Sequence, residues 1–236
     1  MNNRDNTSSS RRAARYKELL ESQTSTLRDP AGYTILTEAK EIRAVEEAAR
    51  TRLAARGQPI EWAEVGIVFE DQYIQVIRDA VEFPNGKRGT YIRIASRSNG
   101  AVGAAILPIS SAGAGLVRHF RHATRSWHLE VPRGMAETGE AIEATAAREL
   151  AEETGWRPAR VEPLGPVFPD NGILADRVEL FLAEVHAPSV ATERDEAIAS
   201  IVIVPIPELE RMIAESEITD SFTIAAFARA RLRGRV

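Results

Sequence analysis

The stretch from Glu130 to Trp156 constrains this chain more than any other part, and it reads EVPRGMAETGEAIEATAARELAEETGW. Between Glu140 and Thr154 no residue breaks a helix, and the alanines and Leu150 favour one. Gly155 stands where a left-handed helix cap would end that helix, and Pro158 follows soon after. The stretch therefore predicts a helix that ends at about residue 154.

The two sides of the predicted helix differ in character. One side carries an apolar stripe at four-residue spacing that can pack against a core, consisting of Ile142, Ala146 and Leu150. On another side, Glu149, Glu152 and Glu153 are related as i, i+3 and i+4, so their carboxylates converge. The helix is predicted to join a buried face to a strongly acidic one.

Three carboxylates that lie close together repel one another unless a cation sits between them. Oxygen ligands favour Mg²⁺ or Mn²⁺, and such cations usually sit where phosphates are bound. A solvated, salt-bridged helix face is the alternative interpretation. The complete spacing argues against that alternative, because seven fixed positions at about 7% usage each match by chance on the order of 10⁻⁸ per window.

The complete spacing resembles the Nudix box, GX5EX7REUXEEXGU with U a bulky apolar residue, at every fixed position. Those positions are Gly134, Glu140, Arg148, Glu149, Glu152, Glu153 and Gly155. The resemblance implies the Nudix fold, an α/β (α+β) architecture with a mixed β-sheet sandwiched between helices. It also implies a metal-dependent pyrophosphohydrolase whose substrate the box does not specify.

Composition narrows the class of protein further. The 236 residues suffice for one main domain and an extension. A net charge of −4 argues against nucleic acid as a binding partner. The absence of cysteine excludes disulfides and thiolate metal sites. The sequence has no apolar run of membrane-spanning length and no signal-peptide core, so we expect a cytoplasmic protein without a membrane partner.

The chain divides into three predicted regions. Residues 1–57 form an N-terminal tail and helical extension, residues 58–99 an antiparallel β subdomain, and residues 100–236 the hydrolase domain. Helices are predicted at Arg11–Ser22, Thr37–Arg56, from about Pro207 and at Ser221–Arg233. Strands are predicted at Val65–Glu70, Tyr73–Val81, Thr90–Ser96, Ala101–Ile109, Leu116–Arg121, Arg160–Val167, Val178–Val185 and Ile198–Pro205. A loose turn is expected at Ser110–Gly115, and a loop at residues 123–126.

Two segments resemble the ADP-ribose pyrophosphatase branch of the Nudix family. FPNGKRGTYIRI resembles that branch's N-terminal sheet, which implies exchange across a homodimer and a contribution to the nucleoside pocket. LVRHFRHATRSWHLEVPRG resembles its "VRQYR…ELPAG" region, which makes Arg121 and Glu130 candidate substrate-binding residues. His119 replaces the branch's Gln, and Arg133 replaces its Ala. Arg133 either binds a substrate anion or points to solvent.

The resemblance assigns roles within the box. Glu149 and Glu153 are the expected direct metal ligands, and Glu152 completes the set or binds through water. The backbone carbonyl of Arg133 is a further implied ligand. Arg148 is expected to orient the glutamates by ion pairing. Gly134 lets the loop approach the site without a side-chain clash, and Glu140 is expected to stabilise the junction of loop and helix.

A general base must also deprotonate the attacking water. In the resembled branch, a glutamate on a loop after the box has this role. The segment ATERDEA offers Glu193, Asp195 and Glu196. Glu196 is the preferred candidate, because the predicted strand begins two residues after it. Glu193 is the alternative candidate for the general base. An ordinary acidic turn is the alternative.

The expected activity is Mg²⁺-dependent hydrolysis, with Mn²⁺ as a possible substitute, of a nucleoside diphosphate sugar. ADP-ribose is the leading substrate, with AMP and ribose 5-phosphate as products, and the enzyme is expected to be a homodimer. One alternative is GDP-mannose or another sugar nucleotide. The loop from Pro169 to Gly172 resembles a loop of the sugar-nucleotide branch, but its spacing is not that branch's pattern, so the substrate stays open. Another alternative is a regulator that binds ADP-ribose without cleaving it, against which the complete box argues.

Overall fold

A computed structural model describes residues 14–21, 32–97, 102–186 and 198–236. The backbone contacts divide the chain into two compact units. The first unit comprises Met1–Asn99 and Asp170–Ala175, and the second comprises Gly100–Pro169 and Asp176–Val236. Among the described residues, no helix is long and apolar enough to cross a membrane.

The first unit combines helices with an antiparallel sheet. Its elements are α1 (residues 14–21), β1 (Thr34–Ile35), α2 (Ala39–Ala55), a 3₁₀ helix (Ile60–Ala63), β2 (Gly66–Glu70), β3 (Ile74–Glu82) and β4 (Arg88–Ser96). The central strand β3 pairs with β4 along its whole length, while β2 and β1 pair with its two ends. The predicted long helix and three strands are confirmed to within two residues at each end. β1 and the 3₁₀ helix were not predicted, because neither is long enough to show a period.

A buried polar cluster lies in the first unit among the apolar side chains. The carboxylate of Asp79 accepts a hydrogen bond of 2.7 Å from the hydroxyl of Tyr16 and one of 2.7 Å from Nε of Arg93. Burial, followed by the charge of Asp79, raises the pKa of Tyr16 well above its ordinary value. Asp79 therefore connects α1 to strands β3 and β4.

The first unit also includes a short segment that comes much later in the chain, Asp170–Ala175. The amide of Ile94 donates to the carbonyl of Ile173 at 2.8 Å, and the amide of Ala175 donates to the carbonyl of Ile94 at 2.9 Å. The hydroxyl of Tyr91 donates to the carbonyl of Gly172 at 2.8 Å. This loop therefore packs along β4, a contact that its own sequence does not indicate.

The second unit is a mixed β-sheet with helices on both faces. Its elements are β5 (Gly103–Ser110), β6 (Gly113–Arg121), β7 (Ser126–Glu130), β8 (Arg133–Met135), α3 (Ile142–Thr154), β9 (Pro158–Val167), β10 (Val178–Val185), β11 (Ile198–Val204), α4 (Ile206–Ala214) and α5 (Ser221–Leu232). The strand order is β11-β6-β5-β10-β9, with β7 beside β6 and β8 beside β5. β5 and β10 run parallel, and the other pairs run antiparallel.

Strand β5 shows why helices cover both faces. Successive side chains of a strand point to opposite faces, and Ala104 and Ile106 pack with Ala146 and Leu150 of α3. The alternate residues of β5, Ala105 and Leu107, pack in a second cluster with residues of α4 and α5, including Leu209, Phe222 and Ala226. The predicted mixed sheet between helices is confirmed.

One turn of the second unit is tighter than predicted, and two of its strands were missed. The expected loose turn at Ser110–Gly115 is a tight hairpin, since β5 ends at Ser110 and β6 begins at Gly113. Gly113 adopts φ +135°, and a Cβ atom at this position would overlap the carbonyl of Val204, so this strand start needs a glycine. The expected loop at residues 123–126 is confirmed as a turn, except that Ser126 already begins β7. Strands β7 and β8 were not predicted.

Arginines of the last helix cover the edge strand β9. The guanidinium of Arg229 donates to the carbonyls of Gly165 at 2.7 Å and Pro166 at 2.8 Å. Arg233 donates to the carbonyls of Pro163 at 2.8 Å and Leu164 at 3.0 Å. The pairing of β9 with β10 is irregular at this point, which leaves carbonyls that need donors. The basic end of α5 therefore has a structural use within this unit.

Candidate active site

The helix α3 presents the box residues to one end of strand β5. Its apolar stripe packs into the core with Ile106, Phe181 and Trp156, as the sequence predicted. At its C-terminus Gly155 adopts the left-handed conformation with φ +74°, also as predicted, and its amide donates to the carbonyl of Ala151 at 2.8 Å. The next residue, Trp156, fills the space beside Gly115, where any side chain would overlap the indole ring.

The three box glutamates on α3 have unequal environments. The side chain of Glu149 is 10% exposed, whereas that of Glu152 is 50% exposed. Glu153, one turn beyond Glu149, is buried. A solvated helix face is therefore the wrong interpretation for Glu149 and Glu153, and it applies only to Glu152.

The glycine of the box makes room for a carboxylate. A Cβ atom at Gly134 would overlap the carboxylate of Glu149. The neighbouring amide of Arg133 lies 3.5 Å from Oε1 of Glu153, to which it donates. The backbone at residues 133–134 thus lies directly against both buried glutamates. Gly134 is needed here for space, because only a residue without a side chain leaves the Glu149 carboxylate in its place.

The guanidinium of Arg148 holds the acidic side chains in position. Its Nη1 lies 2.8 Å from Oε1 of Glu149 and 2.8 Å from Oε2 of Glu152. Its Nε donates to Oε1 of Glu140 at 3.0 Å, and its Nη2 donates to the carbonyl of Met135 at 3.0 Å. One side chain therefore joins the loop after the box glycine to the acidic face of the helix. These are the ion pairs that the sequence predicted for Arg148.

Glu140 belongs to the junction between loop and helix. Its Oε2 accepts hydrogen bonds from the amide of Glu137 at 3.0 Å and from the hydroxyl of Thr145 at 2.8 Å. The hydrogen bond from Arg148, followed by that from the Glu137 amide, lowers the pKa of Glu140 to about 2. Both carboxylate oxygens of Glu140 accept hydrogen bonds from its surroundings. These contacts fit the predicted role of stabilising the junction of loop and helix.

A second charged cluster precedes the box glycine. Glu130 is almost completely buried and accepts hydrogen bonds from the guanidinium of Arg121 and, at 3.4 Å, from Nη2 of Arg133. The Nδ1 atom of His119 lies 3.3 Å from Oε1 of the same carboxylate. The structure thus brings together the predicted substrate-binding residues Arg121, Glu130 and Arg133. It adds His119, which the sequence showed only as a departure from the Gln of the resembled branch.

Arg133 does not point into solvent. Its side chain is 24% exposed, and Nη2 lies 3.5 Å from Oδ1 of Asp220 as well as near Glu130. The guanidinium also stacks 4.6 Å above the ring of Phe222. The solvent alternative for Arg133 is therefore wrong, because two carboxylates and an aromatic ring surround its charge.

Sequence reasoning missed the residues of α5 that contact this cluster. Asp220 caps α5, since its Oδ2 accepts from the amide of Thr223 at 2.8 Å. Thr223 also accepts a hydrogen bond of 2.9 Å from the amide of Val131. An Asp directly before the predicted helix is the local signal for such a cap. No local pattern shows that the same residues reach Val131 and Arg133.

The donor set of α3 suits a hard divalent cation. Glu149 and Glu153 offer carboxylate oxygens on successive turns of one helix face, beside a loop that has no side chain at Gly134. Over the described ranges, no three His, Cys, Asp or Glu side chains form a group arranged to hold a metal ion. The two buried glutamates would therefore need oxygens from the backbone, from water or from a substrate phosphate to complete a metal site. The candidate bases Glu193 and Glu196, like Asp195, lie outside the described residues.

Comparisons with known proteins identify the family of this chain. The NUDIX domain family matches residues 100–222. The chain is 29% identical over 171 residues to an ADP-ribose pyrophosphatase of Bacillus subtilis, with 70% of this chain and 89% of that protein covered. It is 28% identical over 162 residues to a methanol dehydrogenase activator of Bacillus methanolicus, with 67% and 85% covered. A crystal structure of an ADP compounds hydrolase has the same fold, with a TM-score of 0.62, 22% identity, and 73% of this chain and 95% of that chain covered.

The chain belongs to the Nudix family, since the family match spans more than half of it. It is a Nudix hydrolase, and the family that the spacing of the box predicted is confirmed.

We predict that Gly134→Ala weakens metal binding much more than it weakens the fold. The added Cβ displaces the flexible end of Glu149, which costs little packing but moves one carboxylate of the pair. We expect the Mn²⁺ concentration for half-saturation, measured by electron paramagnetic resonance, to rise about tenfold or more. Gly172→Ala is the control, because its added Cβ would press only on the side chain of Asp170. Unchanged Mn²⁺ binding in Gly134→Ala would contradict this account.

The low pKa of Glu140 predicts a pH-dependent contribution to stability. A carboxylate whose folded pKa lies near 2 instead of 4.5 stabilises the fold fully above about pH 4.5, and this contribution is lost as the pH falls toward 2. The difference in melting temperature between wild type and Glu140→Gln should therefore shrink across that range. Glu143→Gln, which removes one charge from the first turn of the same helix, is the control. An equal loss at pH 7 and pH 2.5 would contradict the assignment.

Proposed function

We propose that this Nudix hydrolase cleaves the pyrophosphate bond of a nucleoside diphosphate sugar. ADP-ribose is the leading substrate, and addition of one water would give AMP and ribose 5-phosphate. The observation that carries the proposal is the pair of buried carboxylates, Glu149 and Glu153, packed against the box glycine. The similarity to the ADP-ribose pyrophosphatase of Bacillus subtilis, which aligns with 70% of this chain, supports this choice of substrate.

Mg²⁺ is the proposed cofactor, with Mn²⁺ as a substitute. A bound divalent cation would neutralise the diphosphate and lower the pKa of the attacking water. Glu149 and Glu153 would hold it together with the backbone carbonyl of Arg133, and half-exposed Glu152 would complete the set or act through water. Arg148 would keep Glu149 and Glu152 in place through the ion pairs described above.

The cluster around Glu130 supports a substrate-binding role for Arg121. Its guanidinium pairs with buried Glu130, yet 29% of its side chain stays exposed and available to a phosphate. Arg133 is more enclosed by its partners, so we assign it a contribution to the local positive charge rather than a direct contact. Glu130 would hold both guanidiniums in fixed orientations.

A homodimer remains part of the proposal. The first unit leaves large apolar side chains exposed, among them Phe69, Tyr73 and Ile74. These residues lie at the end of the β2–β3 hairpin, and contiguous exposed apolar surface is typical of faces that another protein covers. This supports the partner copy that the resemblance of the N-terminal sheet implies.

Hydrolysis of a substrate panel tests the proposed function. With Mg²⁺ or Mn²⁺ we expect turnover of ADP-ribose above that of GDP-mannose, diadenosine polyphosphates and nucleoside triphosphates, measured as product formation by chromatography. Glu153→Gln should lower kcat by about 100-fold or more, because it removes a proposed direct ligand. Faster turnover of GDP-mannose would favour the sugar-nucleotide alternative. Binding of ADP-ribose without turnover of any compound would favour the non-catalytic regulator.

The general base is tested by paired substitutions in the segment after β10. Glu196→Gln should lower kcat by about 10² to 10⁴-fold while metal binding persists, because the base acts only on the attacking water. Glu193→Gln is its matched comparison, with the same chemical change three residues earlier. A large loss in Glu193→Gln together with normal activity in Glu196→Gln would reassign the base to Glu193.

A further inference from the structure

The segment between β7 and β8 determines where the box glycine lies. β7 ends at Glu130, which pairs with Val117, and β8 begins at Arg133, which pairs with Ala105. Between them, the carbonyl of Pro132 accepts a hydrogen bond of 3.0 Å from the amide of Ile106. The chain therefore passes from one neighbouring strand to another within two residues, and any shift there moves Gly134.

The first turn of α5 binds this segment at Val131. The amide of Val131 donates to the hydroxyl of Thr223 at 2.9 Å, and both residues are completely buried. The same hydroxyl donates to Oδ2 of Asp220 at 2.7 Å, so its own proton is directed away from Val131. The Thr223 oxygen is thereby oriented as an acceptor for one particular backbone amide.

The first turn of α5 binds the segment again at Arg133. Oδ1 of Asp220 lies 3.5 Å from Nη2 of Arg133, and the ring of Phe222 lies beneath the same guanidinium at 4.6 Å. One carboxylate thus caps the helix with one oxygen and faces Arg133 with the other. Val131 and Arg133 flank Pro132, whose ring restricts the backbone between these two attachments.

The next atoms along the chain belong to the carboxylate pair. The amide of Arg133 faces Glu153, and the absent side chain of Gly134 leaves the space that the Glu149 carboxylate occupies. We infer that Asp220 and Thr223 are positioning residues of the metal site, acting through the backbone of residues 131–134. This inference rests on the proposed function, in which Glu149, Glu153 and the Arg133 carbonyl hold a divalent cation.

Thr223→Val tests the inference, because it keeps the shape of the side chain and removes its hydroxyl. Mn²⁺ binding to the whole 236-residue chain without substrate, measured by electron paramagnetic resonance, should weaken about tenfold or more, as is typical when partners of metal-binding groups are lost. In activity assays the metal concentration for half-maximal rate should rise, while KM for ADP-ribose at saturating metal should stay unchanged. Thr223→Ser restores the hydroxyl and should bind Mn²⁺ like the wild type.

Arg229→Gln is the matched control for a general loosening of α5. It removes the hydrogen bonds to Gly165 and Pro166 at the other end of the helix and leaves the contacts with Val131 and Arg133 intact. We expect a lower melting temperature with unchanged Mn²⁺ binding. An equal loss of Mn²⁺ binding in Arg229→Gln, or none in Thr223→Val, would overturn the inference.

Asp220→Asn provides a second variant in case Thr223→Val does not fold. It keeps an oxygen acceptor for the cap and removes the charge that faces Arg133, so Mn²⁺ binding should weaken while the helix persists. Normal Mn²⁺ binding in this variant would also overturn the inference. The two hypotheses fail separately, because a wild-type protein that binds Mn²⁺ but cleaves no compound of the panel would refute only the proposed function.

Discussion

The contact on which the candidate site depends is the packing of the Glu149 carboxylate into the space beside Gly134. It requires a glycine at position 134 of β8. It also requires that the apolar stripe of α3 pack into the core, because this packing places Glu149 beside that glycine. Arg148 then pairs with the same carboxylate and with the loop that leads into the helix. Strand, loop and helix are thus joined at one side chain, and Glu153 one turn later shares that environment.

Charge in this unit is arranged in two clusters with different chemistry. Around Arg148, several carboxylates share one guanidinium, so the acidic excess suits a cation. Around Glu130, one buried carboxylate is shared by two guanidiniums, which suits an environment for phosphate. A metal-bound diphosphate would require both kinds of charge next to each other. The short segment from Glu130 to Gly134 connects the two clusters.

Residues close in sequence made much of the site predictable. The spacing of Glu149 and Glu153 on a helix and the left-handed Gly155 depend on local geometry, which a sequence pattern can show. The short strands β7 and β8 were missed, because each is defined by pairing with β6 or β5 rather than by its own period. The environment of Arg133 could not be predicted from the sequence either, because it depends on Asp220 and Phe222, which are nearly 90 positions later in the chain.

By itself, the sequence determined the family, the helix α3 and the identity of the acidic and basic residues that the chemistry requires. Periodicity, capping and fixed spacing depend on residues that are close in sequence, so the sequence alone shows them. Only the tertiary structure decided which glutamates are buried, that Arg133 lies between Glu130 and Asp220, and that Thr223 holds the amide of Val131. Burial and long-range hydrogen bonds arise when distant segments pack together, and no local pattern specifies which segments will meet.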